Sequence, residues 1–326
     1  MMKIKIRNFA VILCVIQTFS VCAINFPDCN SWNIMGFYCN GVFVEMNRNR
    51  IATWKYEKNK LQMNGKLTLL CQWKNKSYPD YNFHVGASVV QGKRFWLLGG
   101  EGTVNNRKCQ SVATVMTGTI EPDGRVCDMK AVRSLPFPTR AGRALICDGK
   151  IWFLGGSGEN KLIFAKILEN GELDEWQYGK AYPLPVCRGG FVYYKGCFYA
   201  NGIAHFALRT GGSKIYAMKI PENGIGKKWV QVESPANALG RLYVYNETLY
   251  YFDEISGNIY KTIQEDDGIQ LAEWQLAGKM PCPPDTEGVT VEEVPDGWFF
   301  FGGAMRRAGK FIGFYQGAFV PFSNLK

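Results

Sequence analysis

Short apolar stretches alternate with polar turns along the chain, and they do so at a nearly constant period. The clearest unit opens with Arg140-Ala141-Gly142, continues through Leu145-Ile146-Cys147 and turns at Asp148-Gly149-Lys150. It then runs through Ile151-Trp152-Phe153-Leu154 into Gly155-Gly156. A third apolar stretch, Leu162 to Leu168, leads to the turn Glu169-Asn170-Gly171, then to Trp176 and Pro183-Leu184-Pro185. Apolar runs of this length bounded by Asp-Gly and Asn-Gly predict strands joined by hairpins. One unit is therefore four short antiparallel strands.

The unit recurs six times. Its opening glycines are Gly36, Gly86, Gly142, Gly189, Gly240 and Gly288, spaced 47 to 56 residues apart. A glycine doublet or its relic follows near Gly99, Gly155, Gly202 and Gly302, while Asn49 and Asp253 stand there in the first and fifth copies. Trp73, Trp176, Trp229 and Trp274 recur later in the unit, where a large flat side chain fills space between neighbouring sheets. A β-sandwich with coincidental glycines does not explain six near-equal intervals. A period of ~50 with four strands per copy resembles the kelch repeat. The resemblance spans residues 35 to 326. It implies an all-β fold, a six-bladed β-propeller of four-stranded blades around a central channel. Two routes to ring closure stay open: residues 24 to 34 supply the last outer strand, or Phe319 to Leu325 completes the sixth blade alone.

Composition adds a compartment. Residues 1–23 read as a secretory signal: Lys3, Lys5 and Arg7 precede a mainly apolar run from Phe9 to Phe19, and Val21-Cys22-Ala23 ends in a small residue. Acylation at Cys22 is the competing reading, disfavoured by the bulk of Val21. The propeller domain is then 24–326, secreted or extracytoplasmic (periplasm or cell surface). No later run reaches the ~18 apolar residues of a membrane span. Nine cysteines follow the leader, an odd number, with no CxxC pair and no zinc-site spacing. Cys109 with Cys127, and Cys187 with Cys197, are the candidate disulfides. The net charge of +10 falls to +7 without the leader and is spread along the chain, which argues against a nucleic-acid partner.

Candidate chemistry sits beside the opening glycines. Aligning the copies on those glycines puts Arg143, Arg188, Arg241 and Glu287 in one layer at the channel mouth, with His84 and Arg140 nearby. Planar guanidinium forks suit a carboxylate. The competing expectation is that each Arg pairs with an acid or a carbonyl of the next blade. Secreted six-bladed kelch-like proteins include sialic acid epimerases, and that resemblance implies Glu287 as an acid or base beside the arginines. Kelch-bearing copper oxidases fit less well, since His84 and His205 are the only histidines. The fingerprints GxSxG, GxxxxGK[ST] and GxGxxG are absent, and no cofactor is expected. The reading is a monomeric binder of a carbohydrate or protein ligand, carboxylate-bearing and acidic, with the epimerase as alternative.

Overall fold

The computed structural model describes residues 24–25, 35–47, 50–57, 60–69, 81–82, 85–104, 107–186, 189–202, 214–221, 226–235, 239–265, 268–282, 286–301, 303–307, 310–313 and 316–325. The expected leader, residues 1–23, lies outside them. The chain forms a six-bladed β-propeller of four-stranded antiparallel sheets. Blade one comprises Met35–Cys39, Val42–Asn47, Arg50–Glu57 and Lys60–Leu69. Blade two comprises Ala87–Gln91, Arg94–Leu98, Val115–Ile120 and Val126–Val132. Blade three has Arg143–Cys147, Lys150–Leu154, Leu162–Lys166 and Gln177–Tyr178; blade four has Phe191–Tyr194, Cys197–Asn201, Ile215–Lys219 and Val230–Val232. Blade five runs Gly240–Tyr245, Thr248–Asp253, Asn258–Thr262 and Gln275–Lys279.

Blade six closes the ring. Thr290–Val294, Gly297–Phe301 and Gln316–Pro321 form three of its strands, and Ile24–Asn25 adds the fourth, with Ile24 opposite Gly317 and Asn25 opposite Gln316. Of the two closure routes, the N-terminal one is realised. Phe43 and Trp54 of blade one then pack with Phe299 and Phe301 of blade six.

Each second strand is mostly apolar because both of its faces are covered. Side chains alternate across a strand, so neighbours in sequence enter different seams. Phe95 and Leu97 join the seam with blade one, whereas Trp96 and Leu98 join the seam with blade three. Trp152 and Leu154 face blade four, while Ile151 and Phe153 face blade two. Six such seams close the circle, and they hold most of the buried apolar side chains. The recurrent Trp behaves as expected where it is described: Trp229 is buried edge-on against Tyr182 of blade three and donates its indole N–H to the Lys180 carbonyl at 3.0 Å.

The opening glycine is explained by crowding. A Cβ at Gly142 would stand 2.2 Å from Cζ of Phe153, and one at Gly240 would stand 2.3 Å from Cζ of Tyr251. The aromatic ring of the second strand occupies the volume that any side chain would need.

Two accessory sheets interrupt the repeat. Tyr81–Asn82 pairs with the hairpin Glu101–Val104 and Arg107–Ser111, inserted between the second and third strands of blade two. Thr286–Glu287 pairs with the hairpin Ala304–Arg307 and Lys310–Gly313, inserted at the same place in blade six. The expected disulfides do not form: Cys127 and Cys197 are free thiols, as are Cys39, Cys147 and Cys282. Cys109 belongs to the accessory hairpin, so it does not flank a blade-two turn with Cys127; Cys187 lies outside the described residues. The Cys197 thiol is fully buried and donates to the Gly268 carbonyl at 3.1 Å. Burial pushes the thiols of Cys39 up to about 11 and of Cys147 and Cys282 up to about 12, so all three are protonated and unreactive.

Candidate functional site

The first strands converge on the axis, and their opening ends surround a cavity of about 290 Å³. All six hairpins between first and second strands have two-residue turns, so the ladders align the blades directly. Counted back from these turns, Met35, Ala87, Arg143, Gly190, Arg241 and Thr290 occupy one layer. Two residues further along each strand, on the same face, come Phe37, Val89, Leu145, Val192, Tyr243 and Glu292.

This register corrects the expected layer. Arg143 and Arg241 share it, but Arg188 precedes its blade's member, Gly190, by two residues, and Glu287 precedes Thr290 by three. Glycines were the wrong ruler, because Gly36 and Gly288 do not stand at the same ladder position as Gly142 and Gly240. Glu287 lies in the accessory sheet opposite Ala304 rather than in an inner strand. The side chains of His84, Arg188 and Glu287 fall outside the described residues, as does His205. Arg140 is held by Glu101 in an ion pair of 2.6 Å.

Both described arginines of the layer line the cavity and are anchored through Nε. Arg143 donates Nε–H to the Gly189 carbonyl of blade four at 2.6 Å and another N–H to its neighbour Gly142 at 3.2 Å. Arg241 donates Nε–H to Glu254 at 2.8 Å. Glu254 is itself buried, and its other oxygen accepts the Gly288 N–H of blade six at 3.1 Å. It follows Asp253, where blades two and three carry the second glycine of the doublet. The lost doublet of blade five therefore has a use. Asp253 remakes the turn by accepting from the backbone N–H of Ile255 and Ser256 and from the Ser256 hydroxyl, and Glu254 anchors Arg241.

Two more ionisable groups, Tyr243 and Glu292, interact with the two guanidinium groups. Burial disfavours the Arg241 charge, but Glu254 and a hydrogen bond with Tyr243 outweigh it and hold the guanidinium protonated. Desolvation pushes the Tyr243 phenol up to about 12, partly offset by Arg241, so it stays a neutral hydroxyl. Glu292 is pushed up to about 8 by desolvation, with Arg241 and Arg143 pulling the other way and Glu293 adding to the rise. Glu293 is raised as well, by desolvation. Arg143 and Arg241 thus stand with two lining acids, Glu292 and Glu293, whose charged forms desolvation disfavours, while the buried Glu254 is already engaged by Arg241.

Sequence reasoning passed over Glu292, Tyr243 and Glu254. The signal for Glu292 was present in the two-residue turn Pro295-Asp296: counting back from it places Glu292 beside Tyr243. Glu254 had no such signal, since its partner lies in a neighbouring strand.

No family model matches this sequence, and no curated protein matches it. Among solved structures the chain is similar to the structure of YjhT, with a TM-score of 0.62 and 11% identity, over 89% of this chain and 98% of that one. At that identity the likeness shows the fold alone.

Proposed function

We propose that the cavity at the mouth of the propeller binds a carboxylate-bearing ligand, an acidic carbohydrate or an acidic side chain of a protein, through Arg143 and Arg241. The observation that carries this reading is the charge balance just described: two anchored guanidinium groups on the same layer, with the nearest lining acid largely neutral. An Arg anchored through Nε keeps its fork pre-organised, which lowers the entropic cost of gripping both oxygens of a carboxylate. Replacing Arg143 by Ala removes one charged hydrogen-bond donor. Affinity for a uronate or sialate found in a glycan screen is expected to fall by about 1.5–3 kcal/mol in titration calorimetry. Unchanged affinity per folded molecule would make Arg143 a purely structural tie between blades three and four.

A second reading is favoured by Glu292. A carboxyl group titrating near neutrality inside a cavity is suited to general acid–base chemistry, as an epimerase or mutarotase of acidic sugars requires. Arg143 and Arg241 would hold the substrate, and Glu292 would take the role that sequence reasoning gave to Glu287. Turnover of a sialate lost in Glu292→Gln, with binding retained, would select the enzyme over the binder.

The kelch-type and extracytoplasmic readings rest on the sequence: the ~50-residue period and the basic-apolar-small order of residues 1–23. Cleavage after Ala23 would make Ile24, the first residue of the ring-closing strand, the mature N-terminus. N-terminal sequencing of the exported protein is expected to read Ile24 first; Met1 or a lipidated Cys22 would refute it.

A further inference from the structure

The cavity changes its charge with depth. Arg143 and Arg241 stand in the layer nearest the mouth, and both are fastened at that end. Arg143 holds the Gly189 carbonyl, just ahead of the first strand of blade four, and Arg241 holds Glu254, just beyond the second strand of blade five. In blade six the same layer is held by Thr290, with Glu292 two residues further along the strand and Glu293 three. At about 3.3 Å per residue, the backbone of the two acids lies about 7 and 10 Å deeper. Neighbouring residues leave a strand on opposite faces, yet both acids line the cavity.

These four are the charged groups among the described lining residues. The acids are not the fixed partners of the arginines. Arg241 is engaged by Glu254, and Arg143 donates to backbone carbonyls. Among the described residues neither Glu292 nor Glu293 joins an ion pair or a hydrogen bond, and the arginines act on Glu292 only by longer-range attraction. By themselves the two acids are disfavoured as anions by desolvation. A cation in contact with them reverses that preference, because an opposite charge favours the ionised form. A ligand that brought a carboxylate alone would leave them without such a partner. The wall between the two charged levels carries no further charge: Ala144, Phe191, Val192, Leu242 and Val291 supply much of it.

We propose that the ligand is a zwitterion, whose carboxylate is gripped by Arg143 and Arg241 and whose ammonium, several bonds away, is taken by Glu292 and Glu293. The inference rests on the carboxylate reading of the cavity and deepens it by giving the lining acids a partner. A cavity of about 290 Å³ stands at the lower limit of small-molecule sites, which restricts the ligand to about the size of one sugar ring. An amino sugar acid and a linear amino acid with a terminal ammonium share this chemistry.

The test compares 6-aminohexanoate with hexanoate, and muramate with N-acetylmuramate. Within each pair the carboxylate is kept and the ammonium is removed or capped. Titration calorimetry is run on the unaltered chain, on E292Q/E293Q and on Arg143→Ala. The unaltered chain is expected to bind at least one zwitterion about tenfold or more tightly than its partner, the fold-change of one charged hydrogen bond. E292Q/E293Q should close that gap by weakening the zwitterion, and Arg143→Ala should weaken both members of the pair. A stronger response to muramate assigns an amino sugar acid, and a stronger response to 6-aminohexanoate a linear amino acid. Equal affinities within both pairs, or a gap that survives in E292Q/E293Q, overturn the ammonium site and leave the carboxylate reading standing. If none of the four binds while a uronate or sialate does, the ammonium site alone fails; if no carboxylate binds, both readings fail. Should E292Q/E293Q unfold, Glu292→Gln and Glu293→Gln tested separately give the same readout.

Discussion

Arg241→Leu is expected to cost about 3–5 kcal/mol of folding stability in urea denaturation, the range for breaking a buried ion pair from one side. The loss comes less from the bond that disappears than from what it strands. Glu254 has a side chain only 2% exposed, and Arg241 is its cationic partner at 2.8 Å. With Leu at 241, one Glu254 oxygen loses its donor while the other still accepts from the Gly288 N–H. Arg241→Leu combined with Glu254→Leu removes both charges. It should be less destabilised than Arg241→Leu alone, although Gly288 then loses its acceptor. A double-mutant cycle measures the coupling. If Arg241→Leu stayed within about half a kcal/mol of the parent, the pair would not be the buried anchor within blade five described here.

The second large effect depends on pH. Glu292 titrates at about 8 in the folded protein against an ordinary 4.5, because desolvation penalises its charged form more than Arg241 and Arg143 favour it. Between those values the folded state keeps a proton that the unfolded state has released. Stability attributable to this group is therefore fully present below about pH 4.5 and is lost as pH rises through about 8. The slope is at most about 1.4 kcal/mol per pH unit, so the whole window spans several kcal/mol. Glu292→Gln imitates the protonated acid and cannot ionise. Its stability should fall less steeply over the same range and exceed that of the parent above pH 8. Parallel curves for the two proteins across pH 5–9 would show that Glu292 is already ionised at neutral pH. The same ionisation adds a negative charge to the cavity, so affinity for a carboxylate should decline above pH 8 in the parent and hold in Glu292→Gln.

The amino-acid sequence by itself determined the architecture. A propeller repeats one local pattern, and its apolar runs, two-residue turns and glycines under aromatic rings are set by neighbours a few residues away. Gly142 with Phe153 and Gly240 with Tyr251 lie within one hairpin, so a periodic text is enough to place them. The turn at Gly171 was legible for the same reason, and its glycine adopts the positive φ that such a turn requires. The tertiary structure decided what lay between blades. Which strand closed the ring depended on a pairing between residues 24–25 and 316–317, nearly the whole chain apart. The cavity depended on register: Gly288 stands one residue further from its turn than Gly142, Gly189 and Gly240 do, and Glu287 and Arg188 precede their glycines where Arg143 and Arg241 follow theirs, so they belong to different layers. The role of Glu254 depended on its reach to both Arg241 and Gly288. Local patterns repeat and can be counted. The charge state of a side chain is set by whatever surrounds it in three dimensions, and only the packed ring brings Arg143, Arg241, Tyr243 and Glu292 to one cavity.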